Sequence, residues 1–290
     1  PPALPIGFYQ HGAVSIAIFH LWLNNLVVVN EDWRLFSADE QGRSLGGPPL
    51  DQNDRRVLQP GNYATLSPDG DPLAIRLTDE NYRPRTLSLD ISGTARTNSF
   101  RERVRERDQR CCVTGRLVRN LLYVDFRASY IFPIAHRDVW EAQNLSRFIA
   151  DDAPPEHKGP NSINSVQNGI LLRSHVHDLF DSYLFGINPD DEYRITDFRE
   201  DQEFNGRQLW INENADPRHR PSDDLLREHF RQCVFANVKG AGRQDDDFFD
   251  PEDDFDLSDF TRWGREINEG QPTRLELAVR SRLYSRALSV

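Results

Sequence analysis

The chain has no methionine, not even at position 1, and is therefore expected to be processed or trimmed at its start. Its opening, Pro-Pro-Ala-Leu-Pro, lacks the basic beginning of a secretory signal. Long apolar runs are missing too. The longest candidate, residues 14–29, is interrupted by His20, Asn24 and Asn25, well short of the roughly 18 apolar residues that cross a membrane. Cysteine is scarce. Cys111, Cys112 and Cys233 are an odd set, and the two adjacent ones are poorly placed to bridge each other. No CxxC pair exists, which excludes a zinc knuckle of that kind. Such cysteine usage suits a reducing compartment, the nucleus or cytoplasm. Positive charge is in deficit as well: the net charge of −11 argues against nonspecific nucleic-acid binding by the chain as a whole.

What is present is a 290-residue chain, 38% hydrophobic and 28% charged, long enough to bury a core as one large or two small domains. The charge is unevenly spread. Arg101, Arg103, Arg105, Arg107 and Arg110 are followed by Arg116, Arg119 and Arg127, whereas residues 245–259 are dominated by aspartate and glutamate. Phe248, Phe249, Phe255 and Leu257 interrupt that acidic segment, so it is expected to dock, as a loop anchored by its phenylalanines or over the arginine-rich groove.

Residues 1–95 read as a β-rich region. Val27–Val29, Trp33–Phe36, Leu73–Leu77 and Thr86–Ile91 are strand-like and are separated by Gly/Pro/Asn/Asp turns. They are expected to form one small sheet. The segment from His11 to Leu26 instead suits a helix, with Ile16, Phe19, Leu23 and Leu26 on one face. Ser99 is expected to cap an arginine- and glutamate-rich helix over 100–108, with Glu106 pairing to Arg103 or Arg110 at helical spacing. Segments 121–126 and 128–132 read as paired strands, and 193–195 as a further strand. Ser222 caps a helix over 222–238 that turns Leu225, Leu226, His229, Phe230 and Val234 inward. A last helix is expected near 273–288.

The most informative stretch is 167–188, QNGILLRSHVHDLFDSYLFGIN. Asn168-Gly169 reads as a turn, Ile170–Leu172 as a strand, and the residues that follow as a helix. Within that helix His177 and Asp181 are four residues apart and leave the same face. An imidazole and a carboxylate so placed suit a divalent cation. The same spacing also suits a core histidine satisfied by its aspartate, and Asn168 in a turn needs no chemical role.

With the segments 100–115, 126–140, 161–195 and 225–242, this stretch resembles the fungal proteins that carry an HNH nuclease domain of the second HNH type. The resemblance implies an α+β fold. Its core is a ββα-metal (His-Me finger) unit over about 96–200, between the N-terminal β-rich region and a C-terminal helical region over 201–290. It also implies one divalent metal ion (Mg, Mn or Zn), DNA as partner, and hydrolysis of DNA phosphodiesters. Carried over, His177 and Asp181 are the metal ligands, and Asn168 is the loop asparagine that orients the general base. His175 is a further metal candidate if it still lies in the loop. Arg101, Arg105, Arg127 and Arg173 are candidates for nucleic-acid contact.

The chain departs from the pattern at Tyr130, where these proteins have the general-base histidine. A phenol has an ordinary pKa near ~10 and is a poor base at neutral pH. His136 is the alternative base, six residues further on. Three functions follow: a nuclease with a modified base, a degenerate domain that binds metal, nucleic acid or protein without cutting, or the same scaffold turned to another reaction.

Overall fold

The computed structural model describes residue 8, residues 14–83 and residues 95–239. The chain divides into two compact units, 1–243 and 244–290, and every described residue belongs to the first. The acidic segment 245–259, the strand expected at 86–91 and the helix expected at 273–288 lie outside the described residues.

The elements in chain order are helix α1 (Ile16–Leu26), strands β1 (Val27–Val28), β2 (Arg34–Ala38), β3 (Asn62–Leu66) and β4 (Arg76–Leu77), and helix α2 (Ala95–Asp108). Then come β5 (Phe126–Tyr130), α3 (Arg137–Ala142), α4 (Pro155–Lys158), β6 (Gly169–Arg173), α5 (Ser174–Asp181), β7 (Phe185–Asn188), β8 (Arg194–Asp197) and α6 (Asp223–Asn237). Among the described residues the strands form antiparallel pairs: β1 with β4, β2 with β3, β5 with β6, and β7 with β8.

Among the described residues the N-terminal part is thus a helix with two small antiparallel pairs, where one small sheet including the undescribed 86–91 segment was expected. Ser15 caps α1 by accepting from the Ile18 N–H, and the apolar face predicted from spacing is buried. Ile16, Phe19, Trp22, Leu23 and Leu26 form a cluster with Leu35, Leu58, with Phe230, Val234 and Phe235 of α6, and with Val238 just after it. Helix α6 begins after Ser222 and buries Leu225, Leu226, His229, Phe230 and Val234 as their pattern predicts. The Ser222 hydroxyl, however, donates to the Phe148 carbonyl instead of accepting from the first turn.

Three local expectations are corrected. Helix α2 starts at Ala95, so Ser99 is inside it, and its hydroxyl meets His157 Nδ1 at 2.8 Å. Residues 121–124 are not a strand: β5 begins at Phe126 and pairs with β6, from Phe126 with Arg173 to Tyr130 with Gly169. Asn168-Gly169 is not a turn of the expected kind. Asn168 ends a short 3-10 helix and Gly169 opens β6 in an extended conformation (φ −148°). Glycine stands there because α2 leaves no room for a side chain. A Cβ at Gly169 would lie 2.6 Å from the Phe100 ring and 2.8 Å from Val104.

The outer edge of β6 is closed by the end of α2. Leu171 N–H donates to Asp108 Oδ2 (2.9 Å), and Cys112 N–H donates to the Leu171 carbonyl (2.8 Å). Arg107, buried beside Asp108, donates to the carbonyls of Val166, Gly169 and His219. This arginine is a staple holding three chain segments, and its charge is spent inside the fold.

Candidate metal centre and its surroundings

Helix α5 packs on both strands of the β5–β6 hairpin through its buried residues Val176 and Phe180. That packing leaves His177 half-buried and brings its Nε2 to 3.4 Å from Asp181 Oδ2. Its other ring nitrogen, Nδ1, lies 3.3 Å from Asp178 Oδ1. With Nδ1–H donating to Asp178, Nε2 turns a lone pair towards the Asp181 oxygen. Two acceptors face to face are stabilised by a proton or a metal cation between them. Their spacing fits the cation: two ligands at ~2.1 Å in a tetrahedral arrangement stand about 3.4 Å apart. Among the described residues no third His, Cys, Asp or Glu donor joins this pair. With two protein donors, such a site would leave its remaining coordination positions to water and phosphate oxygens.

Asn168 is fully buried and ties the loop together. Its Oδ1 accepts from the Phe132 N–H (2.8 Å), and its Nδ2 donates to the carbonyls of Phe132 (3.0 Å) and Ile163 (2.9 Å). Its own carbonyl accepts from the Ile131 N–H. The amide therefore fixes the chain immediately after Tyr130. Tyr130 itself stacks on Phe100 of α2, ring centroids 3.8 Å apart and planes 6° apart, and its hydroxyl donates to Asn164 Oδ1 (3.1 Å). It lies with Gly169 on the face of the hairpin that α2 covers.

The remaining candidates are placed differently. Helix α5 already includes His175, which is exposed and leaves the helix about 200° round from His177. The structure does not bring it to the pair. His136 is half-buried at the end of a short 3-10 helix that follows Pro133. Arg173 pairs with Asp125 (2.6 Å), Arg105 lies 4.4 Å over the Tyr123 ring, Arg101 is half-exposed and Arg127 is exposed. Cys112 is buried, and burial, reinforced by Asp108, pushes its thiol up, which suits packing and not nucleophilic chemistry.

A second group of possible ligands was not read from the sequence. Asp151, Asp152 and His219 bring one donor each within 4.8 Å of one another. Asp151 is buried and receives a two-pronged contact from Arg103 (2.7 and 2.8 Å) and the Ser165 hydroxyl (2.7 Å). Burial alone would raise its pKa; Arg103, Ser165 and the Ala153 N–H outweigh burial and hold the carboxyl well below its ordinary range. Arg103 thus pairs with Asp151 and not with Glu106 as helical spacing suggested. Asp152 pairs with Arg218 (2.5 Å). This is an ion-pair junction, already neutralised.

Ser129 also escaped sequence reading. It pairs with Ile170, on the face of the hairpin opposite Tyr130. Its buried hydroxyl has no hydrogen-bond partner among the described residues.

Residues 111–188 match the family model described as HNH endonuclease, a span from Cys111 through β5, β6 and α5 to the end of β7. Nuclease character is thus indicated for this domain, and it carries both the Asn168 loop and the His177–Asp181 pair. No curated protein and no solved structure matches the chain significantly. No helix among the described residues is long and apolar enough to cross a membrane.

Proposed function

We propose that this domain is an HNH-type endonuclease unit that engages DNA phosphodiesters through one divalent metal held by His177 and Asp181, with hydrolysis weakened by Tyr130. The observation that carries the reading is the His177–Asp181 pair, 3.4 Å apart on a helix packed against the matched hairpin. A bound divalent cation supplies charge neutralisation at the phosphoryl group. Asp178 orients the imidazole, and Asn168 holds the chain that presents position 130.

Tyr130 is where the chemistry falters. Its proton is committed to Asn164 and its ring to Phe100, an arrangement that suits a hydrogen-bond donor better than a base. The same observation favours a second reading, a domain that binds metal and nucleic acid without cutting.

Incubation of purified protein with supercoiled plasmid and Mg²⁺, Mn²⁺ or Zn²⁺, beside Tyr130→His, decides between them. Weak nicking by the parent and a gain of about 10²-fold or more in Tyr130→His is expected, the range of a positioned general base. Cutting by the variant alone would favour the binding module. Failure of both to cut while both bind metal would remove the nuclease reading.

A further inference from the structure

Between α2 and β5 the chain crosses a loop, residues 115–124, whose base is closed by backbone bonds. Cys111 N–H donates to the Arg116 carbonyl, and Val118 N–H to the Gln109 carbonyl, each at 2.9 Å. One aromatic anchors the loop: Tyr123 is half-buried under the Arg105 guanidinium, with its hydroxyl 3.5 Å from the Arg105 carbonyl. The aliphatic residues go the other way. Leu121 is 80% exposed, Leu122 64% and Val124 85%. Asn120 and Leu121 both adopt left-handed backbone conformations (φ 51° and 56°), which a leucine rarely does. Strain of this kind, held beside a well-anchored residue, is found where a loop has a task.

The charges around these side chains are also unusual for this molecule. Elsewhere arginines meet acids: Arg43 with Asp39, Arg199 with Asp197, Arg218 with Asp216 and Arg227 with Asp190. Arg116, Arg119 and Arg127 are exposed and make no ion pair among the described residues. Three exposed guanidinium groups without an ion pair share the 116–127 segment with three exposed aliphatic side chains, and Arg127 donates to the Val124 carbonyl (3.4 Å); on a chain of net charge −11 this combination suits a polyanion with an apolar interior. Duplex DNA has that chemistry: phosphates outside, stacked bases within.

We infer that the 115–124 loop, together with Arg127 at the start of β5, is a DNA-docking wedge. Arg116, Arg119 and Arg127 hold phosphates while Leu121, Leu122 and Val124 enter between base steps. The inference rests on the nuclease reading for its choice of partner, since the loop runs straight into β5 within the matched domain. Docking it sets the hairpin against the same backbone.

The test is binding of the full chain to a short duplex carrying 2-aminopurine, in EDTA, so that no metal contributes. The parent should bind with a rise in fluorescence as bases unstack. Leu121→Ser/Leu122→Ser should bind about tenfold more weakly, ~1.4 kcal/mol, and lose the rise. Arg116→Ala/Arg119→Ala should lower the salt slope by about 1.8, roughly 0.9 per phosphate. These side chains are exposed, so thermal melting of the variants should match the parent. Equal binding and an equal fluorescence rise in parent and variants would overturn the wedge, as would a parent that binds no duplex. Loop-dependent binding to phosphatidylserine vesicles without binding to DNA, or a loop-dependent dimer, would overturn it in favour of a lipid surface or a second copy. Metal binding through His177 is read separately and stands or falls independently of all these outcomes.

Discussion

The α5 pair and the Asp151 group both bring histidine and carboxylate together, and they differ in kind. On α5, His177 and Asp181 meet within one helical turn, 3.4 Å apart. At the other, Asp151, Asp152 and His219 come from distant parts of the chain. Proximity alone would rank the second higher, because it offers three donors. Its buried carboxylate, however, is engaged by Arg103 and Ser165, and its exposed one by Arg218. A cation there would have to displace guanidinium groups. Metal-binding capacity depends on what the donors already do, and by that measure the Asp151 group belongs to the fold, which leaves the metal role proposed above with the α5 pair.

Asp151→Asn leaves Arg103 without its carboxylate in a mostly buried setting, and should cost about 3–5 kcal/mol of stability in denaturant unfolding. Metal binding should be unchanged in the folded fraction. A loss below ~1 kcal/mol would make the junction an ordinary surface pair.

A smaller effect follows from the depressed pKa of Asp151. A carboxyl held below its unfolded value of ~3.9 contributes stability in full above that value, and loses the contribution as pH falls towards the folded pKa. The stability difference between parent and Asp151→Asn should therefore be constant near neutrality and shrink below about pH 4. A difference that stays constant into acid would show that Arg103 and Ser165 do not hold the carboxylate form.

The contrast also explains what was legible in the sequence. His177 and Asp181 were readable because four residues make one helical turn, and α6 was readable from its apolar stripe. Asn168 was recognisable as a loop residue, but its three bonds to Phe132 and Ile163 depend on a fold that brings residues 131–132 beside it. Gly169 misled because glycine after asparagine signals a turn, while the actual demand comes from Phe100 and Val104, more than sixty residues earlier. Arg103 and Arg107 read only as part of an arginine- and glutamate-rich helix, since nothing local reveals partners at Asp151, Val166 and His219. Residues 121–124 have strand-like composition, yet they find no neighbouring strand and remain in the exposed loop.

Whether the α5 pair or the Asp151 group takes the metal is decided by calorimetric titration of Mn²⁺ into the parent, His177→Ala and His219→Ala. Assignment to the α5 pair requires one metal equivalent for the parent and for His219→Ala, and none for His177→Ala. Retained stoichiometric binding in His177→Ala, or its loss in His219→Ala, would contradict it.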